Sequence, residues 1–325
     1  MRPLVSVILP IYNDQSRVRR CLKSLLTQSY NEIEYIIVDD GCTDDSYKII
    51  CGVFDQYPNR KKNCVLLRHA TNQGSYAARL TGMNVATGDY IIQVDSDDYA
   101  SPQYIEYMVD RAQSDEADIV LCGYTAIKSQ REFRVILDNS QSPEELFCNI
   151  ITGQVHAGLW NKLMKRSIVS SFVLRPGVVR SMYDDKVISM QAAYYAKKLS
   201  FIDTPLYSYT IRNSRSITDT TKYVLIPDNS FISFAESFYN SVPVSNDMRA
   251  ALDTFAVGVC GKSLLYGSKA EREFTSKYLM KFKLGDILSH PTIPFYYKLA
   301  LALERYGLSF APSIMRMCTN LFIKR

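Results

Sequence analysis

Tyr90–Tyr99 reads YIIQVDSDDY, and the way this stretch is read decides the fold. Tyr90, Ile91, Ile92 and Val94 form an apolar run of the kind that a buried parallel strand requires. The run stops at three carboxylates, Asp95, Asp97 and Asp98, and Ser101-Pro102 then opens the next helix. In an open α/β sheet, ligands bind at the carboxyl ends of the strands. Acidic side chains crowded at such an end repel one another unless a cation lies among them, and hard oxygen ligands suit Mg²⁺ or Mn²⁺. The plainer alternative, a capping Asp before a helix, accounts for one carboxylate and leaves two over.

Working outward, short apolar runs recur at Leu4–Leu9, Tyr35–Val38, Cys64–Leu67 and Ile119–Gly123. Between them lie segments with helical periodicity: Asp14–Thr27, Asp44–Tyr57, Gly74–Ala86 and Ser101–Ala117. This alternation predicts parallel βαβ units with right-handed crossovers. After Tyr124 the rhythm changes. Lys128–Asn139 reads as an edge ribbon or loop, and Ser142–Ile151 as a short helix with Pro143 at its start. Trp160–Val169 and Asp184–Lys198 look helical, Ser200–Tyr209 looks extended, and beyond Lys222 the pattern is helical and aromatic. The expectation is an α/β fold, a Rossmann-like and mostly parallel sheet flanked by helices, with a helical C-terminal extension. Divisions are expected near residues 125 and 221, giving 1–125, 126–221 and 222–325.

The chain has 325 residues, 47% hydrophobic and 22% charged, which is ordinary for a globular protein with a real core. Its formal charge is +5. From Lys222 onward there are 13 Lys/Arg and 8 Asp/Glu, so residues 1–221 balance to zero. A neutral front argues against a nucleic-acid-binding face, and a basic tail points to an acidic surface. The eight cysteines show no CxxC or zinc spacing. MRPLVSVILP runs directly into a strand with no signal peptide, so a reducing cytoplasm is expected. No stretch reaches the roughly 18 consecutive apolar residues of a membrane span. No Gly-x-Gly-x-x-Gly or Walker pattern follows a strand, which argues against dinucleotide-binding dehydrogenases and P-loop enzymes.

Three strand ends, Pro10-Ile11-Tyr12-Asn13, Asp39-Asp40-Gly41-Cys42-Thr43-Asp44 and Asp95-Ser96-Asp97-Asp98, should face one crevice. Tyr12 can stack on a base, or serve as a core or turn residue. Asp40 can accept from a base N–H or a ribose hydroxyl, or Asp40-Gly41 can be a plain turn. The Asp95, Asp97 and Asp98 group can hold a metal that bridges a diphosphate. Together the three ends describe a pocket for a nucleoside diphosphate.

These segments carry a resemblance. SVILPIYND, EYIIVDDGCTDDS and NQGSYAARLTGMNVATGDYIIQVDSDDY are similar to the family 2 glycosyltransferases, which have the GT-A fold. The likeness continues through Trp160-Asn161-Lys162-Leu163, Tyr183-Asp184-Asp185, Leu206-Tyr207-Ser208-Tyr209, Arg212 and Ser214-Arg215-Ser216-Ile217-Thr218. It covers roughly residues 4–220. It implies that Pro10, Tyr12 and Asp40 contact the base and ribose, usually of a UDP-sugar, with Asn13 and Ser96 beside them. It places Asp95-Ser96-Asp97 at the DxD motif and Asp97 and Asp98 within reach of ribose or metal. Asn72 and Gly74 match a loop lining the same cleft. Arg79 matches an Arg near the diphosphate or sugar, with a solvated helix charge as the alternative. Residues 1–125 become the nucleotide-sugar half and 126–221 the acceptor half. Leu80 departs from the family's ARN-x-G, which leaves no polar group there.

Asp184-Asp185 stands where the family commonly has Glu-Asp, and the resemblance makes Asp185 the general base. Glycosyl transfer needs the leaving diphosphate neutralised, which a divalent ion supplies. It also needs a proton taken from the acceptor hydroxyl, and one base without a covalent nucleophile gives inversion. The competing reading of Asp185 is a carboxylate stabilising a helix N-terminus. Trp160, Lys162 and Asp184 are expected on the acceptor and sugar side, although Trp160 also reads as core. His69, His156 and His290 look isolated, with His156 close to the acceptor segment. Tyr296–Arg325 interleaves apolar and basic residues, as a tail lying on an anionic membrane does, or a helix packed on the protein. The function expected is transfer from a nucleotide-sugar to a glycan or lipid-linked oligosaccharide. The alternatives are a non-catalytic nucleotide-sugar-binding protein on the same scaffold and a nucleotidyltransferase, which would want a Gly-rich basic loop after the first strand.

Overall fold

The computed structural model describes residues 2–129, 131–173, 183–211, 229–289 and 295–308. Its first part runs β1 (Val5–Ile11), α1 (Val18–Leu26), β2 (Ile33–Asp39), α2 (Ser46–Phe54), α3 (Pro58–Lys61), β3 (Cys64–Arg68), α4 (Ser75–Val85), β4 (Tyr90–Gln93), β5 (Tyr99–Ala100), α5 (Tyr104–Ser114) and β6 (Ile119–Lys128). It continues through β7 (Arg131–Val135), α6 (Pro143–Thr152), a 3-10 turn at Leu159–Asn161, β8 (Lys162–Lys165), α7 (Arg166–Val169), α8 (Asp184–Tyr195) and β9 (Leu199–Ile211).

One sheet joins all nine strands in the order β3-β2-β1-β4-β8-β6-β9-β5, with β7 on β6. β3, β2, β1 and β4 are mutually parallel. The inner residues of β1, β2 and β4 are mostly apolar and buried on both faces, as parallel strands between helices must be, while the edge strand β3 is only partly buried. The parallel run then breaks. β8 enters antiparallel between β4 and β6, while β6 and β9 are parallel to each other. The helical expectation over Trp160–Val169 is therefore corrected: its middle is strand. KLMK is too short for periodicity to discriminate, and pairing with the free edges of β4 and β6 supplies backbone partners that a helix would not.

Helix α5 starts at Tyr104 rather than at Ser101. The Ser101 N–H donates to Leu206 O and Ser101 O accepts from Gln28 Nε2, so this residue is held extended. α4 lies close on the sheet because a β-carbon at Gly82 would stand 2.4 Å from Ile8 Cγ2. The core beneath α1, α2 and α5 gathers Val7, Leu9, Leu22, Leu25, Ile37 and Met108.

Contacts divide the chain into two compact units. The first is Met1–Ile150 with Val155–Gly177 and Tyr183–Asn213, and the second is Ile151–Gln154 with Val178–Met182 and Ser214–Arg325. The second unit contains α9 (Ser230–Ser241), α10 (Asn246–Tyr266), α11 (Lys269–Leu279), α12 (Leu284–Ser289) and α13 (Phe295–Arg305). α10 is capped by Ser245, and α11 by a reciprocal Ser268–Glu271 box. α13 buries Tyr297, Ala300 and Leu301, and the Tyr297 ring fills the space that a side chain at Gly261 of α10 would occupy. Arg212, the Ser214–Thr218 segment, His290 and residues 309–325 of the basic tail lie outside the described residues. Among the described residues no helix is long and apolar enough to cross a membrane.

Candidate active site

The acidic turn after β4 is pinned from several sides. The Asp98 N–H donates to Asp95 O, closing the turn. The Cys21 thiol donates to Asp95 O at 3.4 Å, and Tyr207 Oη accepts from the Asp95 N–H at 3.2 Å. Arg20 donates to Asp97 O at 2.9 Å and stands 4.3 Å from the centre of the Tyr99 ring. Ser96 Oγ donates to Asp14 Oδ2 at 2.7 Å, and Asp14 is in turn paired with Arg17. Ser96 is thus turned toward α1 by a buried carboxylate.

Asp98 differs from its two neighbours. It is fully buried, and its Oδ1 accepts from the Thr210 N–H of β9 at 2.7 Å. Its Oδ2 is buried without an aligned hydrogen bond, with the Tyr207 hydroxyl beside the carboxyl. Burial, with Asp95 and Asp97 close by, pushes its carboxyl up to about 9. Fully buried and already accepting from Thr210, Asp98 is the least accessible of the three to a cation, whereas Asp95 and Asp97 are both partly open to solvent. Among the described residues no set of three or more His, Cys, Asp or Glu could hold a metal. Two partly exposed carboxylates suit Mg²⁺ or Mn²⁺ of the kind completed by water and substrate phosphates.

At the neighbouring strand ends, Pro10 is half-buried and Tyr12 is 48% exposed at the end of β1. Asn13 adopts φ 47°, and its Oδ1 accepts from the Thr43 N–H at 2.8 Å, joining the ends of β1 and β2. Asp40 is buried and heavily engaged. Its Oδ1 accepts from the Gln73 N–H at 2.9 Å and from His69 Nδ1 at 2.6 Å, and its Oδ2 accepts from the Gly74 N–H at 2.9 Å. His69 Nε2 lies 3.0 Å from Thr81 Oγ1 on α4. The view of His69 as isolated is corrected: it is the side-chain partner of Asp40. Gly41 has φ +72°, and a β-carbon there would sit 2.6 Å from the Thr71 carbonyl carbon. The 69–74 loop, with exposed Asn72 and with Gly74 at φ 91°, is thereby pressed against the end of β2.

Arg79 joins the two sides. It is 4% exposed, so the solvated-charge alternative is excluded. Its Nη2 donates to Asp95 Oδ1 at 2.8 Å, its Nη1 to Gln93 Oε1 at 3.1 Å, and its Nε to Asp184 Oδ2 at 3.3 Å. The same Nη2 is 3.1 Å from Asp185 Oδ1. That oxygen is buried and makes no aligned hydrogen bond, its contact with Arg79 being an ion pair. One guanidinium therefore faces three carboxylates from two distant segments. Asp184 and Asp185 are the first residues of α8. The Asp185 carboxyl sits in a recess with 32% of its side chain exposed. Desolvation there, with Asp184 and Asp95 near it, raises its pKa against the opposing pull of Arg79.

Trp160 and Lys162, expected on the acceptor and sugar side, are both buried. Trp160 is 1% exposed and stacks on Tyr207 at 4.7 Å and on Tyr209 at 5.2 Å, with Tyr124 at its edge. Its main-chain oxygen accepts from Tyr104 Oη. Lys162 is fully buried, and its Nζ donates to His156 O at 3.0 Å, Gly158 O at 2.7 Å and Asn161 Oδ1 at 2.8 Å. Those three bonds use the three ammonium protons. Both residues brace the 156–161 turn instead. Burial brings Lys162 down to about 7 and the His156 imidazole down to about 4. The His156 ring lies 5.3 Å from that of Tyr209.

A GT-A sheet with carboxylates from β4 and α8 meeting on one arginine is the framework of a nucleotide-sugar transferase. The Glycosyl transferase family 2 profile matches residues 6–170, and the chain belongs to that family. It is 33% identical to the putative glycosyltransferase EpsH of Bacillus subtilis (strain 168), over 78% of this chain and 74% of EpsH. It is 26% identical to the uncharacterized glycosyltransferase EpsJ of the same organism, over 100% of this chain and 97% of EpsJ. Among solved structures, S. aureus TarS 1-349 in complex with UDP-GlcNAc aligns with a TM-score of 0.65 at 18% identity, covering 98% of this chain and 92% of that one. The mannosyltransferase PcManGT from Pyrobaculum calidifontis, with GDP-Man and Mn²⁺, aligns at a TM-score of 0.54 and 14% identity, covering 98% and 88%. At these identities the structural likenesses establish the fold.

Proposed function

We propose that this chain is an inverting glycosyltransferase. It moves a sugar from a nucleotide-sugar, a UDP-sugar in the first instance, to a hydroxyl of a glycan or lipid-linked oligosaccharide in cell-surface polysaccharide assembly. The observation that carries this reading is the meeting of Asp95 and Asp185 on Arg79, at 2.8 Å and 3.1 Å. It brings a leaving-group side and a base side within one guanidinium's span.

In this reading Tyr12 stacks on the base, Asp40 accepts from it, and Pro10, Asn13, Asn72 and Gly74 shape the walls. Asp95 and Asp97 hold a divalent ion, which when bound offsets the charge of the leaving diphosphate. Asp185 accepts the proton of the acceptor hydroxyl as that oxygen attacks the anomeric carbon from the face opposite the leaving group. A carboxyl with a raised pKa suits this task, because a base works best when its pKa lies near the operating pH. Asp184 and Arg79 hold Asp185 in place. Residues 1–125 serve the donor, 126–221 the acceptor, and 222–325 form a helical region. A cytoplasmic protein resting on the inner face of the membrane fits a lipid-linked acceptor, and the exposed Phe295, Leu299 and Tyr306 of the second unit support that placement.

The test pairs binding with turnover. Asp185→Asn should abolish release of UDP from UDP-sugars to acceptor while leaving UDP affinity within about twofold, since the base acts only in the transition state. Undiminished turnover in Asp185→Asn would remove Asp185 from the base role. Absence of binding across UDP-, GDP- and dTDP-sugars would remove the transferase reading.

A further inference from the structure

His69 lies outside every sequence motif used above, yet it makes the shortest contact to Asp40. The Asp40 carboxylate has about four lone-pair positions. Two on Oδ1 are taken by the Gln73 N–H and His69 Nδ1, and one on Oδ2 by the Gly74 N–H. A single acceptor position is left, on Oδ2. Its direction is fixed only if the carboxylate cannot rotate about Cβ–Cγ. The two backbone donors, Gln73 and Gly74, lie at the far end of the 69–74 loop, whereas His69 stands where that loop leaves β3. Its backbone N–H donates to Asp39 O at 2.8 Å, and its Nε2 is tied to Thr81 Oγ1 at 3.0 Å on α4. The imidazole therefore spans from the sheet to α4, with only a tenth of its side chain exposed.

We infer that His69 is a positioning residue for the donor nucleotide, holding Asp40 through Nδ1 so that its one remaining lone pair is aimed at an N–H of the base. The ring works in the tautomer with hydrogen on Nδ1, leaving Nε2 to accept from the Thr81 hydroxyl. The contribution belongs to donor binding and not to the chemical step, because Asp40 is remote in role from the proton transfer. This rests on the nucleotide-sugar reading above and adds a specific residue to it.

The experiment is titration calorimetry with UDP and Mg²⁺ on the full chain, for wild type and for His69→Ala, His69→Asn and His69→Gln. Donor KM and kcat are measured alongside, with thermal melting of each variant. Asn places its amide nitrogen where Nδ1 was, whereas Gln reaches only the Nε2 position. Losing a charge-assisted hydrogen bond predicts that Ala and Gln weaken UDP binding about tenfold or more. Asn should stay within about threefold of wild type, and kcat at saturating donor should hold within about twofold in all three. A merely structural histidine would lower the melting temperature without separating Asn from Gln. Equal UDP affinity across wild type and Ala, or equal losses for Asn and Gln, would overturn the inference. Wild type that binds neither UDP nor another nucleoside diphosphate overturns the donor reading, and this inference with it.

Discussion

Replacing Arg79 with Met should unfold the first unit more easily, and by an amount that depends on pH. The guanidinium is buried against Asp95, Asp184 and Asp185, with contacts at 2.8, 3.3 and 3.1 Å. Removing the cation of a buried ion cluster costs about 3–5 kcal/mol, because the carboxylates are left uncompensated. Asp95 and Asp185 are each between a quarter and a third exposed, so solvent screens part of that loss. The lower end, about 3 kcal/mol, is the expected value at pH 8, a large share of the roughly 5–15 kcal/mol of a typical domain. Without Arg79 the raised Asp185 carboxyl loses the cation that lowers it, and the folded state takes up a proton there more readily than the unfolded state. The penalty is therefore greatest at alkaline pH and shrinks as pH falls and the uncompensated negative charge is neutralised. The chain has a single Trp, and Trp160 is buried in this unit, so its fluorescence reports unfolding there directly. Urea titrations followed at Trp160 should give a loss of about 3 kcal/mol at pH 8 and less than half of that at pH 5. A loss that is equal at both pH values, or below about 1 kcal/mol at pH 8, would refute the charge-compensation argument.

With Asp185 as the proposed base, the acid limb of the kcat profile should lie well above the ordinary carboxylate range near 4, because burial raises its pKa; a limb near 4 in single-turnover rates would count against that role. Asp98→Asn should preserve the fold and metal-enhanced UDP binding, whereas Asp97→Asn should lose most of that enhancement, as UDP titrations with Mn²⁺ or EDTA would show. Since the folded Asp98 carboxyl is pushed up to about 9, wild-type stability should decline as pH rises between the unfolded value near 4 and about 9. Asp98→Asn should remove up to about 1.4 kcal/mol per pH unit of that decline in urea titrations. Gly41→Ala should cost about 1–3 kcal/mol and weaken UDP binding, because φ +72° and the 2.6 Å approach to Thr71 both exclude a β-carbon; unchanged urea midpoint and affinity would show that the 71–72 backbone yields freely.

The N-terminal strands were legible because their burial on both faces demands unbroken apolar runs, and the acidic stop after Val94 marks the ligand end of the sheet. Asp185 reached the site through resemblance; its own neighbourhood reads as an ordinary helix start. Other features were hidden for physical reasons. Arg79 sits on a short helix with little apolar asymmetry, and its partners lie 16 and 105 residues away, so no local pattern announces an ion cluster. One signal was present: Gln93 is a polar residue in a fully buried strand, and it needs the partner that Arg79 supplies. His69 was passed over because no ligating residue is near it in sequence, while Asp40 reaches it across neighbouring strand ends. Lys162 read as an acceptor-facing cation, since nothing local shows that three oxygens of the same turn enclose it. β8 was missed because a four-residue strand acquires its identity from its neighbours in the sheet.

The insertion of β8 also sets the order in which the molecule can be completed on the ribosome. Until residues 162–165 emerge, β4 and β6 have no strand between them and each displays a bare row of amide and carbonyl groups. A recombinant fragment ending near residue 125 would lack β8 and β9 alike, leaving one edge of β4 and both edges of β6 bare, and should self-associate through them. Shortened versions intended for crystallisation or ligand screening should therefore retain the chain at least through β9.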